Sequence, residues 1–224
     1  MAKQKKNILM VEGAEDLRTI PYLIEANGIP WEVDNQFIVS IQKYDGIENL
    51  IDPDEIKYQL NGSEVEALGI IVDADESCDR RWQSIKNACS EIILDLPNRV
   101  PKRGLIHNAS KDNNKPVKFG VWIMPDNMNR GMLETFLAYL VPDESETLWQ
   151  YVQQIVIEAK EKGATYKPTH LDKANIYSWL ALQNPPGRQL HSAVMEKILN
   201  PQHPKAQIFL SWFVNLYNLE EITE

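Results

Sequence analysis

The chain has 224 residues, of which 43% are hydrophobic and 25% charged, and its formal net charge is −9 at pH 7. These are the proportions of a folded globular protein, and the negative charge argues against general, sequence-independent affinity for nucleic acid. No run of about 18 apolar residues occurs, so we expect no membrane span and a cytoplasmic location. Cys78 and Cys89 are expected to be free thiols.

The first unit of the chain is predicted to be a strand, an acidic turn and a helix. The apolar run from Asn7 to Val11 predicts a buried strand, and Glu12 follows it directly. Asp16 is the expected N-cap of the helix, which places Pro21 in or near its first turn.

The next segments continue the alternation of strand and helix. Residues 31–41 predict one interrupted strand or a strand with its approach. Asp52, Pro53 and Glu55 then fit the N-cap, first and third positions of a helix that ends near Gly62.

Acidic residues stand at the ends of the strongest predicted strands. The run from Ala67 to Val72 ends in Asp73 and Asp75, and the run from Val117 to Met124 is followed by Asp126. Side chains alternate along a strand, so Asp73 and Asp75 are expected on the same side. In open parallel sheets the ligand site lies outside the carboxyl ends of the strands. With Glu12, these acids therefore predict a divalent-cation site, the alternative being carboxylates that merely solvate loops.

The pattern becomes helical from Gly131 onward, with helices expected at residues 144–162, 171–182, 190–199 and 204–219. The aromatic residues of the last helix are interpreted as core rather than as a base-stacking platform. We expect an α/β domain over residues 1–142, with a mostly parallel sheet flanked by helices. A helical C-terminal region, residues 143–224, is expected to pack on it.

Two short blocks resemble the Toprim domain shared by topoisomerases, bacterial primases, OLD-family nucleases and recombination proteins. They are Val11-Glu12-Gly13 with Asp16, and Ile71-Val72-Asp73-Ala74-Asp75. Later blocks are similar to a small Toprim-like branch related to OLD-type nucleases; they are residues 119–127, 131–134, and 172–183 with Pro186-Gly187. The resemblance covers most of the chain and implies a Toprim/Rossmann-like fold.

The resemblance also implies roles for individual residues. Glu12 would be the catalytic acid/base, and Asp73 and Asp75 would hold Mg²⁺ or Mn²⁺ for phosphodiester cleavage. Asp126 and Glu134 are candidates for a second metal ion, although Glu134 also fits the acidic first turn of a helix.

Other charged residues near the strand ends are open to two interpretations. Asp79 is either a helix cap or a more distant ligand. Arg80, Arg81 and Arg130 are either weak phosphate contacts or surface residues. A basic stretch between Arg99 and Lys118 is either a phosphate-binding surface or a solvated loop, with Lys118 itself expected at the opposite end of the sheet.

We therefore expect a Mg²⁺-dependent, nuclease-like enzyme acting on nucleic acid. The alternatives are a non-catalytic metal-binding or regulatory module that works with a partner, and a hydrolase of small phosphorylated substrates. DNA and RNA are not distinguished, and the oligomeric state, self-association included, is left open.

Overall fold

A computed structural model describes residues 6–219. Its centre is a five-stranded sheet in the order β4-β1-β5-β7-β6. The sheet is parallel except for β6, which runs antiparallel to β7. The strands are β1 (Asn7–Val11), β4 (Ser40–Lys43), β5 (Ala67–Asp73), β6 (Leu105–Ser110) and β7 (Pro116–Met124), and β2 (Glu32–Val33) with β3 (Gln36–Phe37) forms a separate hairpin.

Helices cover both faces of the sheet, so the predicted mostly parallel α/β fold with a helical C-terminal part is confirmed. The α-helices are α1 (Ala14–Glu25), α2 (Ile47–Leu50), α3 (Pro53–Leu60), α4 (Cys78–Ala88), α5 (Leu133–Ala138), α6 (Glu146–Glu161), α7 (Leu171–Ala181), α8 (Leu190–Met195) and α9 (Pro204–Tyr217).

Alternate residues of each central strand enter opposite hydrophobic clusters, as the period of a strand requires. On one face, Leu9 and Val11 pack with Ile71, with Trp122 and with residues of α1 and α5 to α9. On the other face, Ile8 and Met10 join the cluster that includes residues of α3 and α4. The sheet is therefore buried on both sides, which leaves its edges and strand ends for function.

The structure corrects two local predictions. Residues 31–41 form a hairpin followed by a separate strand, because Asp34 and Asn35 turn the chain with positive φ angles of 51° and 58°. Pro21 lies in the interior of α1 rather than in its first turn. The helix continues past it because Ile20, Leu23 and Ile24 are buried against the core.

The last helix lies against the sheet where two neighbouring strands carry glycine. Gly69 of β5 and Gly120 of β7 are paired in register. A Cβ at Gly120 would lie 2.5 Å from Leu216, and one at Gly69 would overlap the Tyr217 hydroxyl. That hydroxyl donates a hydrogen bond of 2.9 Å to the backbone carbonyl of Ile8. The glycines thus permit the close approach of α9.

The aromatic residues of α9 are buried, which confirms their interpretation as core. One hydrophobic cluster joins residues of the sheet to residues of α6 through α9. The domain division at residue 142 stays a prediction, and residues 1–5 and 220–224 lie outside the described part. Cys78 and Cys89 are buried free thiols, and no helix within residues 6–219 is long and apolar enough to cross a bilayer.

We predict that Gly69→Ala destabilises the protein by about 1–3 kcal/mol, because the methyl group forces Tyr217 and Leu216 away from the sheet. Gly120→Ala is expected to act in the same way through Leu216. Chemical denaturation measures the decrease in the free energy of unfolding. Asn108→Ala, at an exposed position of β6, is the control and is expected to change it by less than about 0.5 kcal/mol. Equal stabilities of all three variants would contradict the close approach.

Candidate active site at the carboxyl edge of the sheet

Parallel pairing brings the predicted acidic strand ends to one edge of the sheet. Val11 is in register with Ile71, and Asp73 with Met124, so Glu12, which follows β1, and Asp73, the last residue of β5, lie at the same edge. The backbone of Asp73 lies close enough to the Glu12 carboxylate to oppose the rise in its pKa that burial causes. The strand register therefore brings these two acids to the carboxyl edge of the sheet, where the sequence predicted them.

The start of α5 lies against Asp73. The backbone N–H of Leu133 donates a hydrogen bond of 3.0 Å to Asp73 Oδ1, which places Glu134 beside it. Glu134 thus lies in the first turn of a helix and also next to the acidic end of β5. Its position at a helix start is therefore compatible with its predicted role as a ligand of a second metal ion. Its side chain is only 5% exposed and forms an ion pair of 2.7 Å with Lys173 of α7.

Asp16 also belongs to this group, and its prediction as an N-cap is wrong. The N-cap of α1 is Gly13, and the Asp16 carboxylate accepts a 3.1 Å hydrogen bond from the Gly13 N–H. Because α1 begins earlier than predicted, Asp16 lies within its first turn, close to the strand ends. Burial, together with the charges of Glu12 and Glu134, raises the pKa of Asp16 to about 7.

The carboxylates influence one another strongly. The pKa of Asp73 is raised well above its usual value, first by burial and then by the charges of Asp16, Glu12, Glu134 and Asp75. Burial also raises the pKa of Glu12; the Asp75 charge adds to this effect, and Arg81 opposes it. Glu12 Oε2 is buried and has no hydrogen-bond partner among the residues that the structure describes. We call these five residues, Glu12, Asp16, Asp73, Asp75 and Glu134, the carboxylate cluster.

Asp75 lies at the outer side of the carboxylate cluster. Its φ of 51° is in the left-handed region, and its backbone exchanges two 2.9 Å hydrogen bonds with Gly131. The Asp75 carboxylate is 53% exposed and is paired with the guanidinium of Arg81. Arg81 Nε also donates a 2.7 Å hydrogen bond to the backbone carbonyl of Asp73. Arg81 is therefore a fixed partner of the cluster rather than a free surface residue.

Asp126 has other partners and is not among the carboxylates that most raise the pKa of Asp73. It accepts hydrogen bonds from Asn129 and Tyr139 and is 3.3 Å from Lys205 Nζ. Burial alone would raise the pKa of Asp126, but Asn129 and Lys205 bring it below the usual value. We therefore omit Asp126 from the carboxylate cluster; its metal role stays a prediction that these contacts do not favour.

The three arginines predicted to contact phosphate line one groove beside Asp75. The cavity has a volume of about 520 Å³ and opens between the β5–α4 connection, α4 and residues 130–132 and 168–172. We call it the arginine groove; its arginines are Arg80, Arg81 and Arg130. Asp79 lies in the first turn of α4, whose N-cap is Ser77, so its interpretation as the cap is wrong.

The basic stretch between Arg99 and Lys118 does not form one surface. Lys118 lies at the amino end of β7, in register with Ala67, and donates hydrogen bonds to Asn215 and Asn218. Its predicted position at the opposite end of the sheet is confirmed. Lys111 is buried and donates to the backbone carbonyl of Gly62.

The carboxylate oxygens of the cluster are suitable ligands for a hard divalent ion such as Mg²⁺ or Mn²⁺, which prefers oxygen ligands. The buried, unpartnered Glu12 Oε2 supports this fit. Within residues 6–219, however, no group of three or more His, Cys, Asp or Glu side chains is arranged to hold a metal ion as it stands. Binding an ion would require carboxylates to move, and Asp75 and Glu134 to exchange their contacts with Arg81 and Lys173.

Sequence reasoning missed Asp16 and Lys173 as members of this site. For Asp16 the available signal was its position four residues after Glu12, about one helical turn beyond the strand end. For Lys173 no spacing signal exists, because α7 reaches α5 only through tertiary packing. The two helices are also joined by a 2.6 Å hydrogen bond from Thr135 to Asp172.

The fold and site together define an α/β protein with a parallel sheet and a carboxylate-lined strand edge. The chain belongs to the family described as "Protein of unknown function (DUF3226)", whose model matches residues 6–218. That family, and not a Toprim family, is the one whose model matches, so the Toprim assignment stays a prediction. No curated protein matches the sequence significantly.

Among solved structures, the chain is similar to the C-terminal regions of two OLD proteins. The one from Xanthomonas campestris pv. campestris is 14% identical, with a TM-score of 0.37, and the match covers 98% of this chain and 95% of that one. The one from Burkholderia pseudomallei is 13% identical, with a TM-score of 0.39, and the match covers 96% of each chain.

We predict that the metal-free protein loses stability, relative to an Asp16→Asn variant, as the pH rises from about 3.8 to about 7. A carboxyl group whose folded pKa exceeds its unfolded pKa binds more protons when folded. Its stabilising contribution is therefore complete at low pH and is lost as the pH rises through the folded pKa. The asparagine side chain still accepts the Gly13 hydrogen bond but carries no charge.

The measurement is chemical denaturation of both proteins in EDTA across this pH range. The expected divergence is on the order of a few kcal/mol, because one pKa unit corresponds to about 1.4 kcal/mol. Parallel stability curves would show that Asp16 is not held among like charges. Glu48→Gln, an exposed position of α2, is the matched control and is expected to follow the wild type.

Proposed function

We propose that this protein is a Mg²⁺- or Mn²⁺-dependent enzyme that cleaves phosphodiester bonds in nucleic acid. The observation that carries the proposal is the convergence of four acids at one edge of the sheet, with Asp75 at the rim: Glu12 and Asp73 at the ends of adjacent strands, and Asp16 and Glu134 in the first turns of two helices. Buried like charges at such an edge are costly and need a cation. The resemblance of residues 11–16 and 71–75 to the Toprim blocks supports the same conclusion.

The carboxylates would hold the ion through their oxygens, with Asp73 and Asp75 as the principal ligands and Asp16 and Glu134 beside them. When bound, such an ion supplies charge neutralisation at the phosphate and an activated water. The residues of the chain supply the rest of the chemistry. Glu12 would hold a proton and release it to a leaving oxygen, a role that its raised pKa and its unpartnered Oε2 support.

Cations of the chain complete the charge balance of the site. Lys173 neutralises Glu134, and Arg81 neutralises Asp75 while its Nε stays on the Asp73 carbonyl. If Asp75 or Glu134 held the ion, its present partner, Arg81 or Lys173, would be available to a phosphate oxygen. Arginine suits this role because its planar guanidinium donates two parallel hydrogen bonds to phosphate.

The experiment is to incubate purified protein with plasmid, single-stranded DNA and RNA in the presence of Mg²⁺ or Mn²⁺. We predict cleavage that is lost in EDTA and falls at least about a hundredfold in Glu12→Gln and in Asp73→Asn, because an acid/base group and a principal ligand are removed. Glu48→Gln is the control for charge and is expected to retain activity. Thermal melting of each variant confirms that it is folded.

Three outcomes would contradict the proposal. Cleavage that survives both substitutions would place the chemistry elsewhere. Absence of cleavage on every nucleic acid, with metal binding still seen by calorimetry, would favour a non-catalytic binding or regulatory module. Release of phosphate from mononucleotides alone would favour a hydrolase of small phosphorylated substrates.

A further inference from the structure

The arginine groove adjoins the carboxylate cluster but is not part of it. Asp75 belongs to both, since it lines the groove and also raises the pKa of Glu12 and of Asp73. A molecule lying in the groove therefore reaches the cluster from its exposed side. The other cluster members, Glu12, Asp16, Asp73 and Glu134, do not line the groove.

The three arginines of the groove differ in how firmly they are held. Arg81 is only 13% exposed and is fixed by Asp73 and Asp75. Arg80 pairs with Glu76 at the surface, where both side chains are largely exposed, so the pair is weak and easily exchanged. Arg130 is exposed and, among the described residues, no hydrogen bond or ion pair is seen for its guanidinium. Arg80 and Arg130 are thus available to an incoming anion.

The size of the groove limits what it can enclose. A volume of about 520 Å³ falls in the range of roughly 300–1,000 Å³ that holds one drug-sized molecule. One nucleotide unit is a molecule of this class. A duplex, whose major groove alone is about 12 Å wide, is too large to enter. The groove therefore fits a strand end or a free nucleotide.

The remaining lining residues indicate how the occupant is recognised. Met132, Pro168 and Leu171 provide apolar contact, and Ser77, Ser84 and Thr169 provide hydroxyl groups. Asp172 also lines the groove, and its carboxylate accepts the Thr135 hydrogen bond. Within residues 6–219 no aromatic side chain lines the groove, so a stacking platform, which is usual in single-strand binding sites, is missing there. Arginine, hydroxyl and apolar side chains without an aromatic ring would contact the phosphate and the sugar of a nucleotide more than its base. Pro168 and Leu171 belong to the helical C-terminal region, so that region contributes to the groove.

We propose that the arginine groove binds a phosphate-bearing nucleotide unit, as the end of a single strand or as a free nucleotide, with little preference for the base. Arg130 and Arg80 contact the phosphate, and the apolar residues contact the sugar and the base edge. This inference rests on the proposed function, because it assigns a substrate class to the same site. It narrows that class from nucleic acid in general to single-stranded ends and nucleotides.

The test is fluorescence anisotropy with a short, 5′-phosphorylated single-stranded oligonucleotide labelled at its 3′ end. It is carried out in EDTA and again in Ca²⁺. The competitors are the blunt duplex of the same sequence, each nucleoside monophosphate and inorganic phosphate. We expect the single strand to bind, the duplex to compete poorly, and the four monophosphates to compete about equally. Competition by monophosphates as strong as that of the unlabelled strand identifies a free nucleotide as the occupant; weaker competition identifies a strand end.

The variants are Arg130→Gln and the double variant with Arg80→Gln. Removing one charge-assisted hydrogen bond to the phosphate is expected to weaken binding about tenfold. Arg188→Gln removes the same charge outside the groove, where Arg188 pairs with Glu196, and is expected to leave the affinity unchanged. Arg81 is kept because it holds the carbonyl of Asp73. The slope of affinity against salt concentration should also fall in the groove variants.

The results for binding and for cleavage are separable. Binding that depends on Arg130 and Arg80, without any cleavage, would overturn the proposed function and leave the groove assignment standing. Metal-dependent cleavage, with binding equal in the groove variants and in Arg188→Gln, would overturn the groove assignment alone. Duplex binding as tight as single-strand binding, or no binding of either, would also overturn it.

Discussion

The negative charge concentrated around Asp73 is the constraint on which the architecture of the site depends. Parallel strands carry Glu12 and Asp73 to one edge, and the first turn of α1 adds Asp16. The protein offsets this repulsion from several directions. The N–H of Leu133 binds Asp73, Arg81 of α4 holds Asp75, and Lys173 of α7 holds Glu134. The positions of α4, α5 and α7 are thus linked to the charge at the end of β5.

The parts of the fold that rest on local pattern were predictable from the sequence. The bounds of β1, β5 and β7 follow from continuous apolar runs, which is how strands buried on both faces appear. Asp52 accepts a hydrogen bond from Glu55 N at the start of α3, as its sequence position predicted. The edge on which Glu12 and Asp73 meet then followed from the general behaviour of parallel sheets.

The parts that depend on tertiary contact were not predictable in this way. Asp16 looked like a helix cap because its role as a neighbour of Asp73 requires the true start of α1, at Ala14. Asp126 also follows a strand of this sheet, yet its carboxylate forms an ion pair with Lys205 of α9, 79 residues further along the chain. No periodicity in the sequence predicts the position of Asp16 beside Asp73 or the ion pair between Asp126 and Lys205. Likewise, Lys173 enters the site only because α7 packs on α5.

The contact between Tyr217 and Ile8 joins α9 to β1, two elements that touch in the fold although the two residues are 209 positions apart along the chain. During synthesis on a ribosome, every strand of the sheet emerges before α9 does. Until then, the face that α9 covers, with the buried Trp122 among its residues, lacks its final layer. Contacts between distant residues also form slowly. The nascent chain therefore passes through a stage in which apolar sheet surface is exposed to other chains, when aggregation or chaperone binding competes with completion of the fold.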